Sequence, residues 1–236
     1  MKGNKLSIEK VNSDKFISEL KKLASAKKAE SSRRFFKTGK GDYSEKDVFI
    51  GVTVPENRAL CRKYMQMDLK EIEKLLKSKI HEVRHSALIM LVTRFMKGSV
   101  KVKKQVFDLY FKNVKYVNNW DLVDVSARDI VGEYLRVNNK KNKVFSLIRS
   151  KSLWEQRIGV VACAAFIRHG ELDEIFEVCV QLLNHEHDLI HKACGWMLRE
   201  AGMKDESRLI EFIKKYSEKM PKVMKRYAME KLRDRF

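Results

Sequence analysis

Proline and glycine are scarce in this chain of 236 residues, which has two prolines, Pro55 and Pro221, and ten glycines. Few breakers leave long uninterrupted stretches, and the natural reading is a mostly helical protein. Cysteine is equally sparse. Cys61, Cys163, Cys179 and Cys194 have no CxxC spacing and sit inside apolar helical patterns, so they read as buried thiols of a reducing cytoplasm and not as a disulfide framework. No apolar run reaches the length of a membrane span, and the opening "MKGNKLSIEKV" lacks the apolar core of a secretory leader. A cytoplasmic protein without a membrane partner is expected. Acidic residues are also in short supply.

The shortage of acids, 31 Asp+Glu against 50 Lys+Arg, leaves a formal charge of +19. A field of that sign draws polyanions, of which nucleic acid is the commonest in a cell. With 44% hydrophobic and 34% charged residues the chain is globular, not disordered. Its length suits one large domain or two small ones.

From residue 69 onward amphipathic segments recur in pairs. First members are "LKEIEKLLKS", "KQVFDLYFKNV", "NKVFSLIRS", "IFEVCVQLL" and "RLIEFIKKYS". Each is followed by a second: "HEVRHSALIMLVTRF", "NWDLVDVSARDIVGEYL", "LWEQRIGVVACAAFI", "DLIHKACGWMLREAG" and "PKVMKRYAMEKL". Apolar residues at i, i+3, i+4 and i+7 mark all of them as helices. The second helices align on a small or apolar residue with a polar one ahead of it: Arg84 with Ala87, Asp124 with Ala127, Arg157 with Val160, His191 with Cys194, Lys225 with Ala228. A repeat of roughly 35 to 45 residues built from helix pairs points to an α-solenoid of HEAT or armadillo type. The expected fold is therefore all-α, a right-handed type of solenoid with a concave basic groove. It forms a single domain over 1–236, with N-terminal helices and a loop at 37–51 in residues 1–68 and repeats over 69–236. A first helix is expected over about 13 to 30, and Pro55-Glu56 opens another.

The polar column reads Arg84, Asp124, Arg157, His191, Lys225, so Asp124 is the single acid among cations or potential cations. Trp120 lies one turn before it. Asp121 has an ordinary explanation, since an acid in a first helical turn offsets the helix dipole. Asp124 is a full turn further in, where that explanation fails.

Other motifs carry less. "HEVRH" at 81–85 matches HExxH, but it is the repeat's own pattern, no glutamate occurs between Glu82 and Glu133 to complete a site, and no metal is expected. His185, His187 and His191 in "NHEHDLIH" read as solvated or phosphate-facing. "TGKGDY" lacks the Ser/Thr of a P-loop and reads as a flexible loop. Trp154 reads as a core residue. The set Trp120, Asp124, Arg157 and Trp196, on consecutive second helices, joins two aromatics, an acid and an arginine.

At "NWDLVD", "LWEQR" and "GWMLREAG" the chain resembles the HEAT-like-repeat DNA glycosylases that remove alkylated purines, the AlkD family, over about "RRFFK" to "MKRYAMEKL". The resemblance implies that Trp120 and Asp124 are the active-site Trp and Asp, Arg157 a DNA-contacting arginine and Trp196 the second Trp of the cleft. It places Phe35 where family members can carry a tyrosine, so a hydroxyl contact is lost here. The "TGKGDYSEKD" stretch lengthens that region relative to shorter members. Arg84, His191 and Lys225 join the cleft as further cations. The implied activity is monofunctional hydrolysis of the N-glycosidic bond of cationic N3- or N7-alkylpurines in duplex DNA, with no cofactor and by a monomer without an obligate protein partner. The alternative is a non-catalytic solenoid binding DNA or RNA through the same groove.

Overall fold

The computed structural model describes residues 11–232, so the N-terminal stretch read for a leader lies largely outside the described residues. The chain is all-α: among the described residues there is no strand, and only an isolated parallel bridge joins Val48 to Ile80. No helix among them is long and apolar enough to cross a membrane. Two compact units are present, residues 1–90 and 91–236.

In the first unit, α1 (Ser13–Lys22) starts where the Asn12 side chain accepts the Lys15 amide, and it buries Phe16 and Leu20. The expected single helix over 13 to 30 is broken. Ser25 turns to extended backbone, gives its N–H to the Ile50 carbonyl, and starts α2 (Ala26–Phe35) by accepting from the Lys28 amide. Serine at an N-cap satisfies an amide that the helix itself leaves free. The loop that follows packs back here: Gly51 has φ +79°, and any side chain on it would strike the backbone of Ser25 and Ala29. α3 (Val54–Lys63) opens at Pro55 as expected, with Glu56 accepting from both the Thr53 amide and its hydroxyl. α4 (Leu69–Leu76) buries Ile72, Leu75 and Leu76 and ties to α1 through Glu71, which accepts from the Ser13 amide and hydroxyl. The helix α5 (His81–Lys97) begins with the HEVRH sequence.

In the second unit the pairing read from periodicity is realised. α6 (Val100–Lys112) and a short 3-10 turn (Val114–Tyr116) lead to α7 (Trp120–Ser126), and α8 (Glu133–Val137) continues its path. Then come α9 (Lys143–Ile148) with α10 (Leu153–Arg168), α11 (Asp173–Gln181) with α12 (Asp188–Gly202), and α13 (Glu206–Tyr216) with α14 (Lys222–Ala228). α10 packs between the α7–α8 path and α12, and α12 packs in turn on α14. α9 lies on α10 and α11 on α12 and α9, while α13 packs on α12, the second helix of the preceding pair. The small or apolar residues of the aligned column, Ala127, Val160, Cys194 and Ala228, are completely buried at these contacts. Large side chains such as Tyr110, Leu122 and Phe166 fill the interior, each apolar one stabilising by roughly 1.5–3 kcal/mol.

One departure from the sequence reading lies at the second helix after α6. Between α7 and α8, residues Ala127–Gly132 form a π-helix, in which the Glu133 amide reaches back five residues to the Arg128 carbonyl. Its start is marked by Ser126, whose hydroxyl donates to the Leu122 carbonyl at 2.6 Å while lying 3.2 Å from the Tyr110 hydroxyl. Such back-bonding bends helices, and a π turn inside an α-helix is frequent at functional sites.

Candidate functional site

Asn119 caps α7 by accepting the Trp120 amide at 2.8 Å, and burial of Leu122 and Val123 fixes which face of α7 turns inward. Trp120 and Asp124, one turn apart, then share the partly exposed side. From α10, Arg157 meets Asp124 as a two-pronged fork: Nε donates to Oδ1 at 3.0 Å and Nη2 to Oδ2 at 2.8 Å. Its Nη1 donates to the Leu189 carbonyl at 2.5 Å, at the start of α12. Three consecutive second helices are thus joined through one guanidinium. Arg157 is only 5% exposed, whereas the Asp124 side chain keeps 21%.

Beyond the exposed edge of Asp124 is a cavity of about 270 Å³. Asp124 and Trp196 line it with Val161, Ala164, Ile167 and Met197. Trp196 is half-buried, and its indole N–H donates to Glu200 Oε1 at 3.1 Å, which fixes the ring orientation. Arg128, Arg168, Glu200 and Lys204 supply the polar part of the wall.

The family model described as DNA alkylation repair enzyme matches residues 16–232. The chain belongs to the DNA alkylation repair enzyme family. A solved structure described as a predicted DNA alkylation repair enzyme from Enterococcus faecalis is similar in fold, with a TM-score of 0.71 at 16% identity, covering 89% of this chain and 97% of that one. A comparison with curated protein sequences gives no match.

The electrostatics of this DNA alkylation repair protein centre on Asp124. Burial pushes its carboxyl above the ordinary aspartate value, the Arg157 charge and hydrogen bonds pull it down, and nearby Asp121 pushes it up again. A fork of two charge-assisted bonds is the strongest device a protein has for keeping such a carboxylate ionised and aimed.

Not every residue singled out in the sequence reaches this site. The structure brings together Asp124, Arg157 and Trp196, with Trp120 on the same helix as Asp124. Arg157 is no exposed clamp for phosphate, because its donors are committed inside the protein. Lys225 gives its ammonium to the Ser217 hydroxyl at 2.6 Å, and His191 is 7% exposed with Nε2 buried and unpaired among the described residues. Neither lines the cavity.

Phe35 and Arg84 belong to the first unit. Phe35 is 66% exposed, with its ring edge-on to Phe36. Arg84 corrects the reading of a cationic column facing DNA: it is buried, donating to Asp47 at 2.6 Å and to the Ser78 and Lys79 carbonyls. The rest of HEVRH is also used internally. Glu82 accepts the Ile50 and Gly51 amides, His81 stacks on Phe49, and His85 lies 3.4 Å from the Asn57 amide nitrogen. Trp154, read as core, is only half-buried.

Sequence reasoning missed Arg128, Arg168, Glu200 and Lys204. Arg128 was within reach, one turn after Asp124 on the same face, and Arg168 lies about three turns after Arg157 on α10. Glu200 follows Trp196 at i+4, the spacing of helical neighbours. Lys204 lies beyond the end of α12, where helical periodicity gives no signal.

Proposed function

We propose that the protein is a monofunctional DNA glycosylase that hydrolyses the N-glycosidic bond of cationic N3- or N7-alkylpurines in duplex DNA. The observation that carries this reading is the Asp124 carboxylate, gripped by Arg157 and presented to a cavity whose other side is Trp196. A HEAT-type solenoid is the architecture this reading assumes, and the ordered stacking of second helices supports it.

An alkylated purine already carries positive charge, so it leaves without a strong general acid. The remaining requirement is to stabilise the positive charge growing on the deoxyribose and to deliver water. A carboxylate aimed at the sugar does both: it stabilises the oxocarbenium-like state and orients or deprotonates the water. Arg157 keeps that carboxylate charged against the desolvation that would protonate it. The indole face of Trp196 excludes solvent and attracts a cationic centre, and Trp120 does the same from α7. An acid inside a basic protein then has a purpose. The surrounding cations attract the backbone, and the acid acts on the sugar.

The test is incubation with duplex DNA containing one 7-methylguanine, followed by alkali to reveal an abasic site in a strand that was intact before treatment. Asp124→Asn is expected to lower the single-turnover rate by about 10²- to 10³-fold, by analogy with removal of one electrostatic stabiliser, while DNA affinity is unchanged or higher. Excision by the variant at the wild-type rate defeats the assignment. Absence of product from the wild type, with DNA binding intact, leaves a binding module.

A further inference from the structure

With Arg157 occupied, a nucleotide that presents its sugar to Asp124 must place its phosphates against other cations. The cavity supplies three, Arg128, Arg168 and Lys204. We propose that Arg168 and Lys204, assisted by Arg128, form the wall that binds the DNA phosphates next to the nucleotide at Asp124. This assignment rests on the reading of the cavity as a DNA site.

Arg168, at the end of α10, is oriented without being consumed. Its Nη2 lies 3.4 Å from Asp129 Oδ1 and its Nη1 3.4 Å from Glu133 Oε1, with 42% of the side chain exposed. Two long bonds leave most of a five-donor planar fork for a phosphate, the geometry it matches best. Arg128 is held by the same acid: its Nε and Nη2 donate to the two Asp129 oxygens, each at 2.9 Å. One buried carboxylate within the π-helical segment therefore aims two guanidinium groups. Lys204 is exposed, and its ammonium makes no hydrogen bond or ion pair among the described residues, so its charge is uncompensated at contact distance.

Asp129 and Glu133, outside the cavity lining, pair with Arg128 and Arg168, so Lys204 carries the wall's uncompensated charge, and the two acids of the lining are engaged elsewhere. Asp124 is neutralised by Arg157, and Glu200 Oε1 accepts from both Trp196 Nε1 and Arg199 Nη2. The apolar lining from Val161, Ala164, Ile167 and Met197 lowers the local dielectric, which strengthens the remaining attraction. The arrangement moves the DNA contact that the resemblance implied for Arg157 to other cations. Arg157 sets the charge of the acid, and Arg168 and Lys204 hold the substrate.

The experiment is fluorescence anisotropy of undamaged labelled duplex DNA against salt concentration, for wild type, Arg168→Gln, Lys204→Gln and the double variant, with excision of 7-methylguanine measured in parallel. Each single substitution is expected to reduce the slope of log affinity against log salt by about 1, and the double by about 2. Per lost contact, the fall in affinity between 50 and 200 mM salt shrinks by about 3.5-fold. Lys204→Gln breaks no bond of the folded protein, so it reads charge alone, and Lys101→Gln on α6 is the control for charge away from the cavity. Slopes equal to wild type in both single variants, or an equal drop in Lys101→Gln, overturn the proposal. Altered slopes in a protein that never excises leave the wall standing and remove the glycosylase. Normal excision with unaltered slopes does the reverse.

Discussion

Burial raises the Asp124 carboxyl and the Arg157 guanidinium opposes that rise, so the pair sets the pH at which the acid is charged. The proposed chemistry uses the ionised form. Because the pKa is raised, excision should fall with acidification through a midpoint above the ordinary aspartate value of 3.8, and reach its plateau on the alkaline side. Arg157→Gln removes the group that holds the pKa down, so the midpoint moves to still higher pH. A pH–rate profile of single-turnover excision checks both. If Arg157 acted only on phosphate, the variant would bind DNA more weakly with its midpoint unmoved. The substitution also leaves Asp124 without its partner, and a loss of folding stability of about 3–5 kcal/mol is expected from such a half-broken pair. The single-turnover measurement therefore belongs below the variant's unfolding temperature.

Helices in the second unit approach closely where glycine replaces a side chain. A methyl group at Gly132 would collide with the Ala162 carbonyl and the Ala165 side chain of α10, and one at Gly195 would lie 2.5 Å from the Met224 carbonyl of α14. These two contacts lie where the π-helical segment meets α10 and where α12 meets α14. Neither obstacle is the flexible tip of a side chain, so the helices themselves must separate. Gly132→Ala is expected to destabilise by about 1–3 kcal/mol through overpacking, read as a lower urea midpoint with an unchanged slope. Excision should weaken as well, because Asp124 and Arg157 sit on the two elements forced apart. An alanine variant as stable as wild type would show that the contact tolerates a methyl group.

Across the whole molecule the four thiols are free and buried, Cys61 in the first unit and Cys163, Cys179 and Cys194 in the second. Burial pushes the Cys61 thiol up to about 12 and raises those of Cys163 and Cys179 as well. Thiols so placed react only when the surrounding structure opens. We propose that the chain unfolds as one cooperative body, in keeping with a sequence that shows no linker. Labelling with a thiol reagent in rising urea should then modify all four cysteines over the same transition. Modification of Cys61 ahead of the other three would instead show that residues 1–90 open independently.

Helical periodicity made the fold legible, since burying one face every 3.6 residues constrains the order of amino acids along each helix. Asp124 was legible as well, being the acid in a column of cations, and so was Trp196 beside small residues. The destination of a charge was not. Arg84 and Arg157 look like surface cations in the sequence, yet each is neutralised by an acid remote in the chain, Asp47 and Asp124. Nor does the alphabet distinguish an α-turn from a π-turn at Ala127–Gly132, because both satisfy the same residues with a shift of one hydrogen bond. By itself the sequence determined which faces are buried and which residues could do chemistry. Only the tertiary structure decided which cation pairs with the acid and which remain exposed, because an ion pair depends on distance in space and not along the chain.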